Sequence, residues 1–323
     1  MPQSSWPLSR RSLLRSGAAA AAAIAAPPLL AQTRQSLRIG YQKFNTLNIL
    51  KGTGNLEKAL AAQGVAVEWR EFLGGAQLSE ALAAGAIDFG HASDGIGVFQ
   101  QASGKGLAYL AAESPYPGGV GFLVPRDSPI RSARDLKGRR VATGRGYNTQ
   151  YALIRALEAQ GLRYEDVEPV YILTASDTVA ALESGSVAAI GLWDPFLASA
   201  QTALDARLLF DGTGLTGNRT YHFAKPEYAK AQQDTLRVVF AELQKANVWA
   251  QAHPDAVVDL LAPQLKVEPK VLALATRRRQ YGVVPLTPQI AQEQQLLADA
   301  FAKIKLIPEP VQVERAFLPL PIL

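Results

Sequence analysis

The chain has 323 residues and no cysteine, which excludes disulfides, thiolate metal sites and thiol nucleophiles together. Its 33 lysines and arginines against 28 acidic residues leave a net charge of +5, too mild to argue for nucleic acid. The length suffices for two domains of ordinary size, whose hydrophobic cores need no covalent staples.

The first residues read as a targeting signal. Ser9-Arg10-Arg11-Ser12-Leu13-Leu14-Arg15 precedes an alanine-rich apolar run from Gly17 to Ala26. Two adjacent arginines ahead of a short apolar stretch resemble a twin-arginine export signal. The run is shorter than the about 20 apolar residues that a spanning helix needs. Leu29-Leu30-Ala31 offers a cleavage site, so the signal is read as residues 1–31 and the mature chain as starting near Gln32. Removing Arg10, Arg11 and Arg15 lowers the net charge to about +2.

Short β-rich runs then alternate with helical patterns. Leu37 to Tyr41, Val67 to Phe72, Phe89 to Ala92, Ala108 to Ala111 and Val120 to Val124 read as strands. Leu47 to Gln63, Gln77 to Ala84 and Ile96 to Ser103 read as the helices between them. The alternation continues with a strand at Arg140 to Thr143, a helix near Tyr151 to Gln160 and a strand at Val170 to Leu173. A helix near Asp177 to Ser184, a strand at Ala188 to Leu192 and a helix at Phe196 to Ala203 follow. Such alternation predicts an open, mostly parallel α/β sheet. After about Lys225 the strands stop, and Thr235 to Ala252, Pro254 to Leu261, Pro269 to Thr276 and Pro288 to Lys303 read as helices, several with proline at or near the start.

A weak internal repeat runs through this pattern. Ala81-Leu82-Ala83-Ala84-Gly85-Ala86-Ile87 reappears as Ala181-Leu182-Glu183-Ser184-Gly185-Ser186-Val187, a helix ended by glycine and then a strand. Each strand runs on into an aspartate, Asp94 or Asp194, at the same offset. Phe44-Asn45-Thr46 and Tyr147-Asn148-Thr149 form a second matched pair at predicted helix starts. Two similar halves imply two lobes facing a shared cleft.

Ligands in open α/β sheets bind beyond the carboxyl ends of strands. There the chain offers helix starts near Thr46, Gln77, Asp94 and Thr149, whose amides and dipoles suit an anion. Gly74-Gly75 ahead of Gln77 allows a ligand close to the backbone. Thr46, Asp94 and Thr149 read equally as ordinary N-caps. Trp193-Asp194-Pro195 ends a strand, where the tryptophan packs either on an organic tail or in the core. Asp194 reads as a cap or a cross-cleft hydrogen-bonder. Tyr116 falls where the chain crosses between lobes. Arg145, Arg219 and Arg279 are candidate counter-ions, with Arg279 favoured because Arg277 to Tyr281 interrupts two helices. His91, His222 and His253 show no metal-ligand spacing, and neither a nucleophile elbow nor a phosphate-binding Walker loop occurs. No metal or cofactor is therefore expected.

From Leu37 onward the chain resembles the substrate-binding components of ABC importers for aliphatic sulfonates, with relatives for taurine, nitrate and a thiamine pyrimidine precursor. The landmarks are Ile39-Gly40-Tyr41-Gln42-Lys43, Glu80-Ala81-Leu82 with Gly85, Ile87-Asp88, Asp94, Asp135-Leu136-Lys137-Gly138 and Arg140-Val141-Ala142. Arg155-Ala156-Leu157, Val187, Trp193-Asp194-Pro195, Asp299, Leu306-Ile307-Pro308 and Val311 complete them. The resemblance implies a two-lobed type II periplasmic binding protein fold with a two-strand hinge. It places lobe 1 at residues 36–112 and 225–323, the strand-poor tail packing back on it, and lobe 2 at 113–224. It implies a monomeric periplasmic carrier that catalyses nothing and delivers a small anion to a membrane permease.

On that reading Gln42, Ser93 and Asn148 add hydrogen bonds to those of the helix starts, Trp193 and Phe44 flank the organic part, and His91, Tyr116, Asp194 and Arg279 line the cleft. Two segments depart from the family pattern. Tyr147-Asn148-Thr149-Gln150 replaces small, serine-rich residues, and His91-Ala92-Ser93 stands where serine or threonine with glycine is usual. Both changes point to a bulkier or different anion. Three alternatives stay open: another small anion or a thiamine pyrimidine precursor as ligand, a hydrolase using His91 and Asp94, and a ligand-sensing partner of a membrane signalling protein. The desulfinase and pyrimidine-precursor synthase relatives of this fold depend on cysteine, which is missing here.

Overall fold

Two β-sheets organise the chain in the computed structural model, which describes residues 35–319 and Pro321. The twin-arginine segment and its cleavage site lie outside the described residues. The first part comprises β1 (Gln35–Tyr41), α1 (Thr46–Thr53), α2 (Asn55–Ala61), β2 (Val65–Glu71), α3 (Gly75–Ala83), β3 (Phe89–Ser93), α4 (Asp94–Ala102) and β4 (Ala108–Glu113). The middle comprises β5 (Val120–Pro125), β6 (Arg140–Thr143), α5 (Asn148–Glu158), β7 (Glu168–Tyr171), α6 (Ala175–Glu183), β8 (Ala189–Trp193), α7 (Phe196–Ala203) and β9 (Ala206–Asp211). The last part holds β10 (Thr220–Ala224), α8 (Pro226–Ala231), α9 (Gln233–Ala252), α10 (Pro254–Leu265), α11 (Pro269–Arg278), β11 (Val283–Val284) and α12 (Pro288–Lys303).

The six-stranded sheet has the order β11-β4-β10-β3-β1-β2, and the five-stranded sheet β7-β6-β8-β5-β9. Central strands are apolar on both faces because helices cover both. Leu37, Ile39 and Phe89 are fully buried between them. The internal repeat is structural: α3 and α6, and likewise β3 and β8, occupy ranges displaced by 100 residues. Gly85 and Gly185 follow those helices in the left-handed region that glycine adopts freely, at φ 73° and 69°.

Four expectations are corrected. The helix read over Leu47 to Gln63 is two helices, because Gly54 turns left-handed (φ 65°) and ends α1. The sheets are mixed rather than mostly parallel. β1 pairs parallel with β3 and β6 with both β7 and β8, while β10 and β5 run antiparallel to their neighbours. The cause is the crossing. β4 leads into β5 and β9 returns into β10, so each sheet receives a strand entering from its far end. The crossing segments bond to each other, Tyr116 N–H to Gly217 O (2.8 Å) and Gly212 N–H to Pro117 O (3.1 Å).

The return also comes earlier than residue 225, since β10 already belongs to the first sheet. Nor does the tail stay with lobe 1. α9 to α11 pack on the first sheet's helices, where Leu236, Val239, Phe240 and Leu243 follow helical spacing. α12, however, packs its Leu297 and Phe301 into the core of the second sheet with Tyr151 and Leu153 of α5. Among the described residues, no helix is long and apolar enough to cross a membrane.

α4 starts where three pieces meet. The Asp94 N–H donates to Arg219 O (3.0 Å), its carbonyl accepts from Gln294 Nε2 of α12 (2.8 Å), and its Oδ1 accepts from Gly95 N–H (2.7 Å). Burial pushes the Asp94 carboxyl up to about 7. Glu293 adds to the rise, while the Gly95 N–H and Arg219 oppose it. A raised carboxyl pKa contributes stability that is full below its ordinary value near 3.8 and lost as pH climbs through about 7.

Two outcomes are expected. Asp94→Asn keeps the oxygen acceptor, so it should raise the melting temperature by several degrees at high pH and change little at low pH in scans from about pH 4 to 8. Phe301→Ala, which empties a fully buried site against Tyr151, should cost about 3–5 kcal/mol in urea unfolding.

Candidate functional site

A cleft lies between the two sheets, at the ends of their strands. Gln42, Phe44, Asn45, Gly75, His91 and Ser93 line it from the first lobe, and Tyr147, Asn148, Trp193 and Asp194 from the second. The crossing segments supply Tyr116, Gly119, Asn218 and Arg219, and Arg279 reaches in after α11. Three helices begin here without a capping side chain on the residue that precedes them. α3 begins after Gly74, α4 after Ser93 and α5 after Tyr147, and none has a side-chain cap. Some of their amides are spent inside the protein: at α4 the Asp94 N–H goes to Arg219 O and the Gly95 N–H to Asp94 Oδ1, and at α5 the Thr149 N–H goes to Asn148 Oδ1 (3.0 Å). The helix dipoles still point their positive ends at the cleft, and α3, which starts on bare glycine, is the most open of the three. The Ser93 hydroxyl is buried without a hydrogen-bond partner. α1 differs, because Asn45 and Asn48 close a capping box over its first turn.

The lobes approach closely on bare backbone. A Cβ added to Gly95 would sit 2.5 Å from Gly146 O and 3.0 Å from the Tyr147 carbonyl carbon. One at Gly74 would sit 3.1 Å from the Tyr147 hydroxyl. Glycine at these positions lets the loop before α5 rest against the starts of α3 and α4.

The arginines of the cleft are paired with acids, whereas Lys43, also in the lining, gives its Nζ to the neutral Leu265 carbonyl (3.2 Å). Arg279 donates to Glu113 Oε2, and its guanidinium lies 5.0 Å from the Tyr116 ring centroid and 5.8 Å from that of Phe44. Arg219 Nε meets Glu293 Oε2 at 3.1 Å, and Arg278 Nη1 meets Asp194 Oδ1 at 3.3 Å. Burial works against the Glu113 charge, but Arg279, with help from His222 and Thr46, outweighs it and holds the carboxyl at about 2. Burial drives His91 down to about 3, His222 and Arg279 adding to the drop against Glu113. His91 is therefore neutral, and its Nε2 accepts from the Gln42 N–H at 3.2 Å. Burial also raises Asp194, opposed by Arg278 and by the Tyr116 hydroxyl, which donates to Oδ2 at 2.5 Å.

The remaining wall is aromatic. Tyr147 and Trp193 lie 5.4 Å apart with 30° between their planes, and Phe196 meets Trp193 edge-on. Phe44 sits at φ 58°, a left-handed conformation that bulky residues adopt rarely and that marks a constrained backbone.

Nine of the thirteen residues singled out in the sequence line the cleft: Gln42, Phe44, His91, Ser93, Tyr116, Asn148, Trp193, Asp194 and Arg279. The other four do not. Thr46 is buried and gives its hydroxyl to Glu113 Oε1 (2.5 Å). Thr149 is buried and pairs with Thr143 and the Gly144 N–H. Asp94 serves the joint described above, and Gln77 is exposed on α3. Arg145 is exposed, away from the lining.

Reading the sequence missed Glu113, whose signal was a lone acid ending an apolar strand. It also missed Asn218, which accepts from Asn148 Nδ2 (2.8 Å) and donates to Tyr116 O (2.6 Å). Among the described residues, no cluster of histidine and acidic side chains could hold a metal ion.

Comparison with known proteins agrees with this geometry. The NMT1/THI5-like family model matches residues 60–257. A protein of Escherichia coli K12 named as an aliphatic sulfonates-binding protein is 33% identical over 94% of this chain and 96% of its own. The crystal structure of the periplasmic aliphatic sulphonate binding protein SsuA from Escherichia coli matches with a TM-score of 0.82 and 33% identity, covering 88% of this chain and 93% of that one. The alkanesulfonate-binding protein SsuA from Xanthomonas axonopodis pv. citri, bound to MOPS, gives the same score and identity over 88% of this chain and 98% of its own. This chain belongs to the NMT1/THI5-like family and, within it, to the aliphatic sulfonate-binding proteins.

Proposed function

We propose that this chain is the periplasmic solute-binding component of an ABC importer and captures an organosulfonate in its inter-lobe cleft without chemistry. The observation that carries the reading is the convergence of three helix N-termini, two from one lobe and one from the other, with the unpartnered Ser93 hydroxyl, on a cleft whose arginines are already paired. A sulfonate spreads one charge over three oxygens and can accept from several amides at once. Ser93, Gln42 and Asn148 are the side chains assigned to its oxygens, and Trp193 and Phe44 to its organic part. Arg279 is assigned as support: Glu113 takes its charge, and it props Phe44 and Tyr116 from behind.

Contacts from both lobes are complete only in the closed form. The ligand therefore shifts an open–closed equilibrium by its differential affinity. We further assign export to the twin-arginine segment, a monomeric state, and delivery to a membrane permease. The periplasmic relatives and the family membership support these assignments. The same family membership, the absence of cysteine and a neutral His91 whose Nε2 is already engaged favour a carrier over a hydrolase.

A thermal-shift panel of sulfonates, sulfate esters, sulfate, nitrate and a thiamine pyrimidine tests the assignment. A sulfonate at about 100 times its Kd should add roughly 2.7 kcal/mol, which reads as several degrees. Shifts with the non-sulfur ligands alone would keep the carrier role and remove the sulfonate. Ser93→Ala should hold or slightly raise the melting temperature of the ligand-free protein, because the buried hydroxyl it removes has no partner, and should weaken sulfonate binding about tenfold by calorimetry, the cost of one charge-assisted hydrogen bond.

A further inference from the structure

We infer that the preferred ligand is an arylsulfonate, one negative charge attached to or beside a flat aromatic ring. This rests on the sulfonate reading and narrows it. The second lobe meets the cleft with two adjoining rings, Tyr147 tilted against Trp193 at 5.4 Å and 30°. Phe196 braces Trp193 edge-on at 5.6 Å and 85°, which fixes the indole plane. Tyr147 and Trp193 both line the cavity, and Trp193 is only half-buried, so the pair gives the cavity an aromatic wall. Such a wall rewards a planar ligand over a flexible alkyl chain of equal size, because ring quadrupoles favour offset stacking and a rigid ligand loses less entropy.

The wall also touches the seat for the anion. Tyr147 precedes α5 as its N-cap residue, and its hydroxyl lies beside Gly74, where α3 begins. The Ser93 hydroxyl heads α4 nearby. Charge seat and ring wall are therefore contiguous, and a ligand filling both has its sulfur close to its ring. The pairing of Arg279, Arg278 and Arg219 with Glu113, Asp194 and Glu293 leaves Lys43, whose Nζ bonds the neutral Leu265 carbonyl, and the partial charges of the helix starts as the sources of positive field. Partial charges of that kind suit a monoanion better than a dianion.

Calorimetric titration of the purified protein with benzenesulfonate and hexanesulfonate, which have equal carbon counts, tests the assignment. The expected result is a Kd about tenfold lower for benzenesulfonate. Trp193→Leu keeps apolar bulk and removes the flat face. It should weaken benzenesulfonate alone and bring the two constants within about threefold of each other. Tyr147→Leu offers a second variant with the same expectation should the first not fold. Equal or tighter binding of hexanesulfonate by the unaltered protein overturns the aryl preference and leaves sulfonate capture standing. Variants that fold and keep the full preference overturn the role of the wall. Failure of every sulfonate to bind overturns the sulfonate reading itself, and the aryl preference falls with it.

Discussion

The buried pair of Glu113 and Arg279 is the contact on which the cleft depends. Glu113 ends β4, the strand from which the chain leaves the first sheet, and Arg279 follows α11 from the far end of the sequence. A carboxylate this deeply buried costs several kcal/mol unless its oxygens are satisfied. Here Arg279 takes one oxygen and the Thr46 hydroxyl the other, with His222 Nε2 3.3 Å away. The start of α1, the crossing and the C-terminal helices are thereby fixed to one point. The same pairing consumes the arginine's charge. A ligand on that side of the cleft then meets oriented amides rather than the arginine's bare charge, which favours geometry over raw Coulomb attraction.

Much of this was legible in the sequence, because periodicity and glycine placement are local signals. The repeat from Ala81 to Ile87 and from Ala181 to Val187 reported two matching half-lobes, and the structure reproduces it with a fixed displacement. Asn45 and Asn148 look equivalent in the sequence but are not. Asn45 caps α1, whereas Asn148 is already the first residue of α5 and reaches across to Asn218. Both line the cleft and both accept a backbone N–H of their own helix, Asn148 from Thr149 (3.0 Å), but the one-residue slip turns the Asn148 amide nitrogen to the crossing segment. No pattern of residue types distinguishes the two.

The unread features were non-local. β9 and β10 are short, and β10 takes its place only by pairing with β3 and β4 more than a hundred residues earlier in the chain. The Thr46 and Thr149 hydroxyls looked free because their partners, Glu113 and Thr143, are set by tertiary packing. Tyr147 stood out as a departure from the family pattern, but its contact with Trp193 joins two strand ends that only the fold brings together.

α12 has a mechanical consequence. Its Gln294 holds α4 of the first lobe, its Phe301 sits in the core with α5 of the second, and Lys303 pairs with Glu158. One stiff rod thus spans the outside of the joint, parallel in effect to the two crossing segments. Three links in place of two remove freedom of twist while leaving a single axis about which the lobes can rotate. Opening of the cleft then resembles the swing of a door on a braced frame. Sideways sliding of one lobe past the other would have to break the packing of that rod first.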